Sequence, residues 1–176
     1  GWWENVITGS QGPDQENLYA RGSIRWEASD TLEINAKYEY GDFDRGSRPT
    51  VVYQSDFEGL ENVFGTIPFP VVSDRDKGAG DVDGGSVNTT DVLAVTVDWE
   101  LEFATLTSIS AYSTYDYESG PGNTDQGAVP ALHRTKYEDY EQYSQEIRLV
   151  SPGGKTLDWN VGDYYQQSEL NISQRV

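Results

Sequence analysis

Apolar and polar positions alternate along three stretches of the chain. In LYARGSIRWE, Leu18, Ala20, Gly22, Ile24 and Trp26 share one parity, and Tyr19, Arg21, Ser23, Arg25 and Glu27 the other. After the short break ASD, TLEINAKYEY repeats the pattern: Leu32, Ile34, Ala36, Tyr38 and Tyr40 against Thr31, Glu33, Asn35, Lys37 and Glu39. A period of two is that of a strand whose two faces meet different surroundings. Hairpins are therefore expected over about 18–41, 90–117 and 142–170. In the second, Leu93, Val95, Val97 and Trp99 oppose Ala94, Thr96, Asp98 and Glu100. Its returning arm is ambiguous. Phe103, Thr105, Thr107, Ile109, Ala111 and Tyr115 form a slightly more apolar set, and the opposite register, with Leu106 and Tyr112, is open. In the third, Tyr143, Gln145, Ile147 and Leu149 lead to Leu157, Trp159, Val161 and Tyr165, with Asp163 as the exception on that face. A seventh, partial strand is expected over 2–8.

The connections alternate in length. Reversals near 28–30, 100–102 and 151–155 are short, whereas about 42–89 and 118–141 are long and rich in Gly, Asp, Ser and Pro. That chemistry is loop chemistry, and compact domains rarely hold a connection as long as the first. Short turns at one end and long loops at the other suit a transmembrane β-barrel. The aromatic residues point the same way. Trp26, Trp99 and Trp159 lie beside the short reversals, and Tyr38, Tyr40, Tyr115 and Tyr165 gather toward the far ends. Two girdles are what a tilted strand of roughly 9–11 residues places at the two membrane interfaces. A soluble β-sandwich explains the alternation equally well, but neither the loop asymmetry nor the girdles.

Composition narrows the function. The 176 residues carry 30 acidic and 12 basic side chains, a net charge of −18, with 12 tyrosines, 18 glycines and no cysteine. Such acidity argues against nucleic acid as a partner, and the lack of cysteine excludes disulfides and thiolate metal sites. No run of about 18 apolar residues is present, so no membrane-spanning helix is expected. In a barrel the charges would occupy loops and the inner wall, where Arg21, Arg25, Lys37, Glu33, Glu39, Glu146 and Arg148 are expected to pair across strands.

Candidate chemistry is sparse. His133, the one histidine, lies in PALHRTK without a recognisable nucleophile motif, so no enzyme is expected and no cofactor is implied. It reads as an exposed loop residue or, with Arg134, as a ligand contact. In the first long loop Arg45, Arg48, Tyr53, Phe57, Phe64 and Phe69 combine arginines with aromatics, a set suited to an anionic, partly aromatic ligand. DRDKGAGDVDGG offers Asp74, Asp76, Asp81 and Asp83 as weak calcium-ligand candidates. The regular EF-hand spacing is missing, and a solvated acidic loop is the better reading.

Three stretches resemble barrel strands of TonB-dependent outer-membrane receptors: RGSIRWEASDTLEINAKYEYGDFD, LAVTVDWELEFATLTSISAYSTYDYE and YSQEIRLVSPGGKTLDWNVGDYYQ. The third is the most specific, with its SQE-apolar-R-L strand, a glycine turn and LDW-x-x-G-x-YY. Together they cover a little under half of the chain. The resemblance implies an all-β, antiparallel barrel of about 22 strands filled by a plug domain. It also implies the bacterial outer membrane, with lipid and lipopolysaccharide around the barrel. The implied activity is energised uptake of a scarce small-molecule ligand, commonly a ferric siderophore, cobalamin or a glycan, driven by the TonB complex pulling on the plug. This chain has no plug-like segment, no TonB box and no closing C-terminal aromatic, so residues 1–176 read as an internal run of about six or seven strands. A small non-transport barrel, adhesive or structural, and a soluble carbohydrate-binding β-sandwich are the rival expectations.

Overall fold

The computed structural model of the protein describes residues 1–46, 50–51, 72, 74–123, 127–154 and 156–176. The described residues form strands and no helix. Six long strands make one antiparallel sheet: β3 (Gln15–Ser29), β4 (Leu32–Arg45), β6 (Ser86–Glu100), β7 (Thr105–Asn123), β8 (His133–Val150) and β9 (Asn160–Arg175), in that order. Three short strands, β1 (Trp3–Asn5), β2 (Gln11–Gly12) and β5 (Lys77–Gly78), form a separate small sheet in the order β2-β1-β5. The partial strand expected over 2–8 is thus β1, and it does not join the long sheet.

The long strands outrun the expected hairpins. Region 118–141, expected as a loop, is largely ladder: Glu118 pairs with Tyr137, Tyr117 with Glu138, and pairing resumes at Gly122–Arg134 after an irregularity between Ser119 and Gly122. The glycine and proline that read as loop sit at that irregularity, where Gly120 has φ +120°, a conformation L side chains rarely adopt. The third reversal is longer than expected, running over 151–159 and closed by Ser151 N–H to Trp159 O at 2.9 Å and Trp159 N–H to Ser151 Oγ at 2.9 Å.

Register decides the two faces. Trp99 pairs with Leu32 on one side and Leu106 on the other, and Leu106 pairs with Leu149, opposite Val161. Successive even-numbered rows along β4 follow: Trp26–Ile34–Val97–Ser108–Ile147–Asp163, then Ile24–Ala36–Val95–Ser110–Gln145–Tyr165, then Gly22–Tyr38–Leu93–Tyr112–Tyr143–Gln167. This is the tryptophan face. On β7 it carries Leu106, Ser108, Ser110 and Tyr112, so the slightly favoured register of that arm is corrected. Thr107, Ile109, Ala111 and Tyr115 lie on the opposite, arginine face, and Tyr115 leaves the expected girdle. The leading arm offers no ambiguity, and a single slip in the partner arm exchanges its faces.

Among the described residues no second layer covers the tryptophan face. Ile24 is 71% exposed, Trp26 60% and Trp99 45%. Among the described residues the buried hydrophobic ones are Trp3, Ala79 and Ala104, two of them in or beside the small sheet. The inner-face packing of a sandwich is therefore absent among the described residues. The arginine face instead carries a ladder of ion pairs: Arg21–Glu39 at 3.7 Å, Lys37–Glu39 at 3.1 Å, Arg25–Glu33 at 2.5 Å and Arg148–Glu146 at 3.5 Å.

Candidate functional site

At the end of the sheet away from the reversals at 30–31 and 101–104, the arginine face changes character. Above the ion-pair ladder come two rows, Tyr19–Gly41–Thr90–Tyr115–Tyr140–Leu170 and Asn17–Phe43–Asn88–Tyr117–Glu138–Ile172. The next row is Gln15–Arg45–Ser86–Ser119–Lys136–Gln174. Alternation brings these aromatic, amide and cationic side chains to one side, because every second residue of each strand faces the same way.

The N-terminal segment and 79–85 stand opposite them. Asn5, 1% exposed, ties that segment together. Its Nδ2 donates to Gly80 O at 2.9 Å and Asp83 Oδ1 at 2.8 Å, and its Oδ1 accepts from Ile7 N–H at 3.0 Å and Gly80 N–H at 3.3 Å. Trp3, two residues earlier on the same strand, is buried too, and a Cβ on Gly78 would lie 2.4 Å from the Trp3 ring, so only glycine allows the approach. The segment is joined to the sheet by Gly46 N–H to Asp14 O at 3.0 Å, Gly120 N–H to Gly85 O at 3.0 Å and Asp81 N–H to Gly127 O at 3.0 Å. His133 Nε2 lies 2.5 Å from Asp81 Oδ2 across the same junction.

Between the two walls lies a cleft of about 1110 Å³. From the sheet, Arg45, Asn88, Thr90, Tyr115, Tyr117, Arg134, Lys136 and Glu138 line it. From the cap come Trp3, Asn5, Asp14, Val82 and Asp83. Tyr115 stacks on Tyr140 with ring centroids 5.2 Å apart and planes 22° apart, and its hydroxyl donates to Glu138 Oε2 at 3.0 Å. Lys136 closes the chain by pairing with Glu138. That hydrogen bond from Lys136, above all, holds the Glu138 carboxyl below its ordinary range, against the opposing cost of desolvation.

The sequence candidates divide. Arg45 and Arg134 reach the cleft. His133 lies next to it, engaged with Asp81. Arg48, Tyr53, Phe57, Phe64 and Phe69 lie outside the described residues. The four aspartates do not converge. Asp83 accepts from Asn5 and from Thr8 Oγ1 at 2.9 Å, Asp81 meets His133, and the backbone carbonyls of Asp74 and Asp76 accept from Lys77 and Glu4. Among the described residues no three acidic or histidine groups could hold a metal ion together. Of the interface aromatics, Trp26, Trp99, Tyr38 and Tyr40 occupy the tryptophan face in successive rows. Tyr165 shares that face but lies in the Ala36–Val95 row, midway between the Trp99 and Tyr40 rows, so its expected place in the far girdle is corrected. Trp159 stands just before β9 in the third reversal.

Asn5, Tyr117, Lys136 and Glu138 were not legible as site residues. The spacing of Tyr115 with Tyr117, and of Lys136 with Glu138, was a signal in principle, since each pair shares a strand face. It needed the register of β7 to be used. Comparison of the chain with protein-family models, curated proteins and solved structures gives no match.

Proposed function

We propose that this chain is part of the barrel wall of a TonB-dependent receptor in the bacterial outer membrane. In this reading the tryptophan face meets lipid, the arginine face lines the interior, and the cleft end faces outward to receive a small-molecule ligand. The observation that carries the proposal is the uncovered tryptophan face. Ile, Val, Leu, Trp and Tyr dominate its rows from Trp99 to Tyr38, interrupted by Ser108, Ser110, Gln145 and Gln167 toward β9 and by Asp163 near the turn end, with no protein layer against them among the described residues. Water is a costly neighbour for so large an apolar surface, and contiguous exposed patches of this kind mark contact with membrane or another protein.

Three further features support it. The Tyr38–Leu93–Tyr112–Tyr143 row begins six positions along β6 from Trp99, and Tyr40 stands at eight, beside Asp91. That separation suits aromatic girdles at two interfaces. From the Tyr40 row outward the same face turns acidic, with Asp91 and Glu141 in that row and Asp42, Asp116 and Asp139 in the next, as expected at the level of polar headgroups and lipopolysaccharide. Among the described residues no further strand pairs with the edges β3 and β9. Unpaired backbone groups in lipid cost several kcal/mol each, so both edges call for neighbouring strands of a closed barrel. Asp163 lies one row from Leu149 and Val161, close to the turn end, where a carboxylate is tolerated.

The test is the electrophoretic behaviour of the native full-length protein from the outer-membrane fraction, with and without boiling. A heat-shifting band of the size of a large receptor is expected. A heat-shifting band close to the 19.6 kDa of this chain would indicate a small, complete non-transport barrel. Recovery in the soluble fraction would end the membrane assignment.

A further inference from the structure

The cations of this chain are sorted by whether a carboxylate holds them. Down the arginine face, Arg21, Arg25, Lys37 and Arg148 are each ion-paired. In the cleft Lys136 is held by Glu138. Arg45 and Arg134 are exposed, line the cleft, and have no ion pair among the described residues. Arg75 and Arg175 also lack an ion pair among the described residues but do not line the cleft, so in a chain of net charge −18 the two uncommitted guanidiniums at this one opening stand out. The carboxylates that line the cleft are mostly committed the other way. Glu138 is taken by Lys136 and Tyr115, and Asp83 by Asn5 and Thr8. Asp14, set over Gly46 at the end of the wall, is the exception.

Taking the cleft as the ligand site, and so resting on the function proposed above, we propose that its ligand is an acidic oligosaccharide. Guanidinium groups bind carboxylate, sulfate and phosphate oxygens through paired, charge-assisted hydrogen bonds. Arg45 on β4 and Arg134 on β8 stand three strand spacings apart, roughly 14 Å across the sheet. One small anion cannot meet both, and a chain-like ligand with repeated acidic groups can. Between them the sheet offers Ser86, Asn88, Thr90 and Ser119, which exchange hydrogen bonds with hydroxyl groups in either direction. Tyr115 and Tyr117 add flat apolar surfaces with a polar rim, suited to the C–H face of a sugar ring. The volume of about 1110 Å³ lies at the upper end of small-ligand sites, again fitting several rings rather than one.

The test is titration calorimetry on the full-length protein extracted from the outer membrane, its heat-shifting band serving as the control for folding. The probes are trigalacturonate, its methyl ester, a sulfated and a phosphorylated trisaccharide, and neutral maltotriose. Binding of at least one acidic probe is expected, weakened about tenfold or more when the charge is removed from the ligand or by Arg45→Gln or Arg134→Gln. Arg45→Lys and Arg134→Lys should retain part of the affinity, and Arg25→Gln, in the ladder below, all of it. Equal binding of maltotriose, or no binding of any acidic probe to protein that still heat-shifts, would overturn the ligand class while leaving the barrel reading intact. Undiminished binding by both glutamine variants would overturn the site.

Discussion

Trp99 on β6 lies directly across from Leu106 on β7, and this one pairing sorts every side chain of the returning arm. It sends Tyr112 to the uncovered face with Leu93, and turns Tyr115 to the opposite side, where it stacks on Tyr140 and donates to Glu138. Had Trp99 faced Thr105 instead, Thr114 and Asp116 would stand where Tyr115 and Tyr117 do, and the cleft would lose its stacked tyrosine pair.

The two faces should respond differently to the same charge. Val95 sits in the middle of the apolar rows, between Ala36 and Ser110, and its neighbour Thr96 faces the ion-pair ladder. Val95→Arg is expected to cost about 2–4 kcal/mol in unfolding from lipid vesicles, the cost of arginine at mid-bilayer depth. Thr96→Arg should stay within about 0.5 kcal/mol, as for a solvated surface position. Equal costs would mean that the tryptophan face does not meet lipid.

Lipid contact can also be read from fluorescence. In single-tryptophan variants reconstituted with brominated lipid, Trp26 and Trp99 should be quenched. Trp3, 3% exposed in the cap, should not. Quenching of Trp3 to the same degree would place the cap in the bilayer and contradict its position at the outer opening.

The cap depends on one buried amide. Asn5→Ala removes the acceptor for the Ile7 and Gly80 amides and the donor to Asp83. Leaving buried groups without partners costs about 1–3 kcal/mol. The loss should appear as faster hydrogen exchange at the Ile7 and Gly80 amides, with exchange in the middle of β6 and β7 unchanged. Unchanged exchange at both amides would show that the cap is held by other contacts.

Gly41 lies in the row of Thr90 and Tyr115, where a side chain would meet close neighbours. A Cβ there would lie 2.7 Å from the Phe43 ring and 2.7 Å from Thr90 Oγ1. Gly41→Ala is therefore expected to displace the ring and to cost about 1–3 kcal/mol, the usual range for overpacking. Denaturant unfolding measures it. A neutral substitution would mean that Phe43 rotates away freely.

Much of the fold was legible because the alternation of apolar and polar residues is a local property. Leu18 to Trp26 and Leu32 to Tyr40 announce strands, and the short breaks between arms announce hairpins, since side-chain direction reverses at each residue whatever the partner strand does. Arg45 and Arg134 were legible as candidate contacts from charge and loop context alone. The length of β7 and β8 was not, because Gly120 and Pro121 read as loop while cross-strand pairs such as Glu118–Tyr137 extend the ladder around them. The register of β7 was not either. Its two faces are nearly equal in hydropathy, so only pairing with Trp99 and Leu149 decides between them. The tertiary structure alone brought Asn5 to Asp83, 78 positions away, and set the cap across from Lys136 and Glu138. Nothing in a local pattern encodes which distant segment closes over a strand end. That choice belongs to the hydrogen bonds a buried amide can satisfy only once both segments are in place.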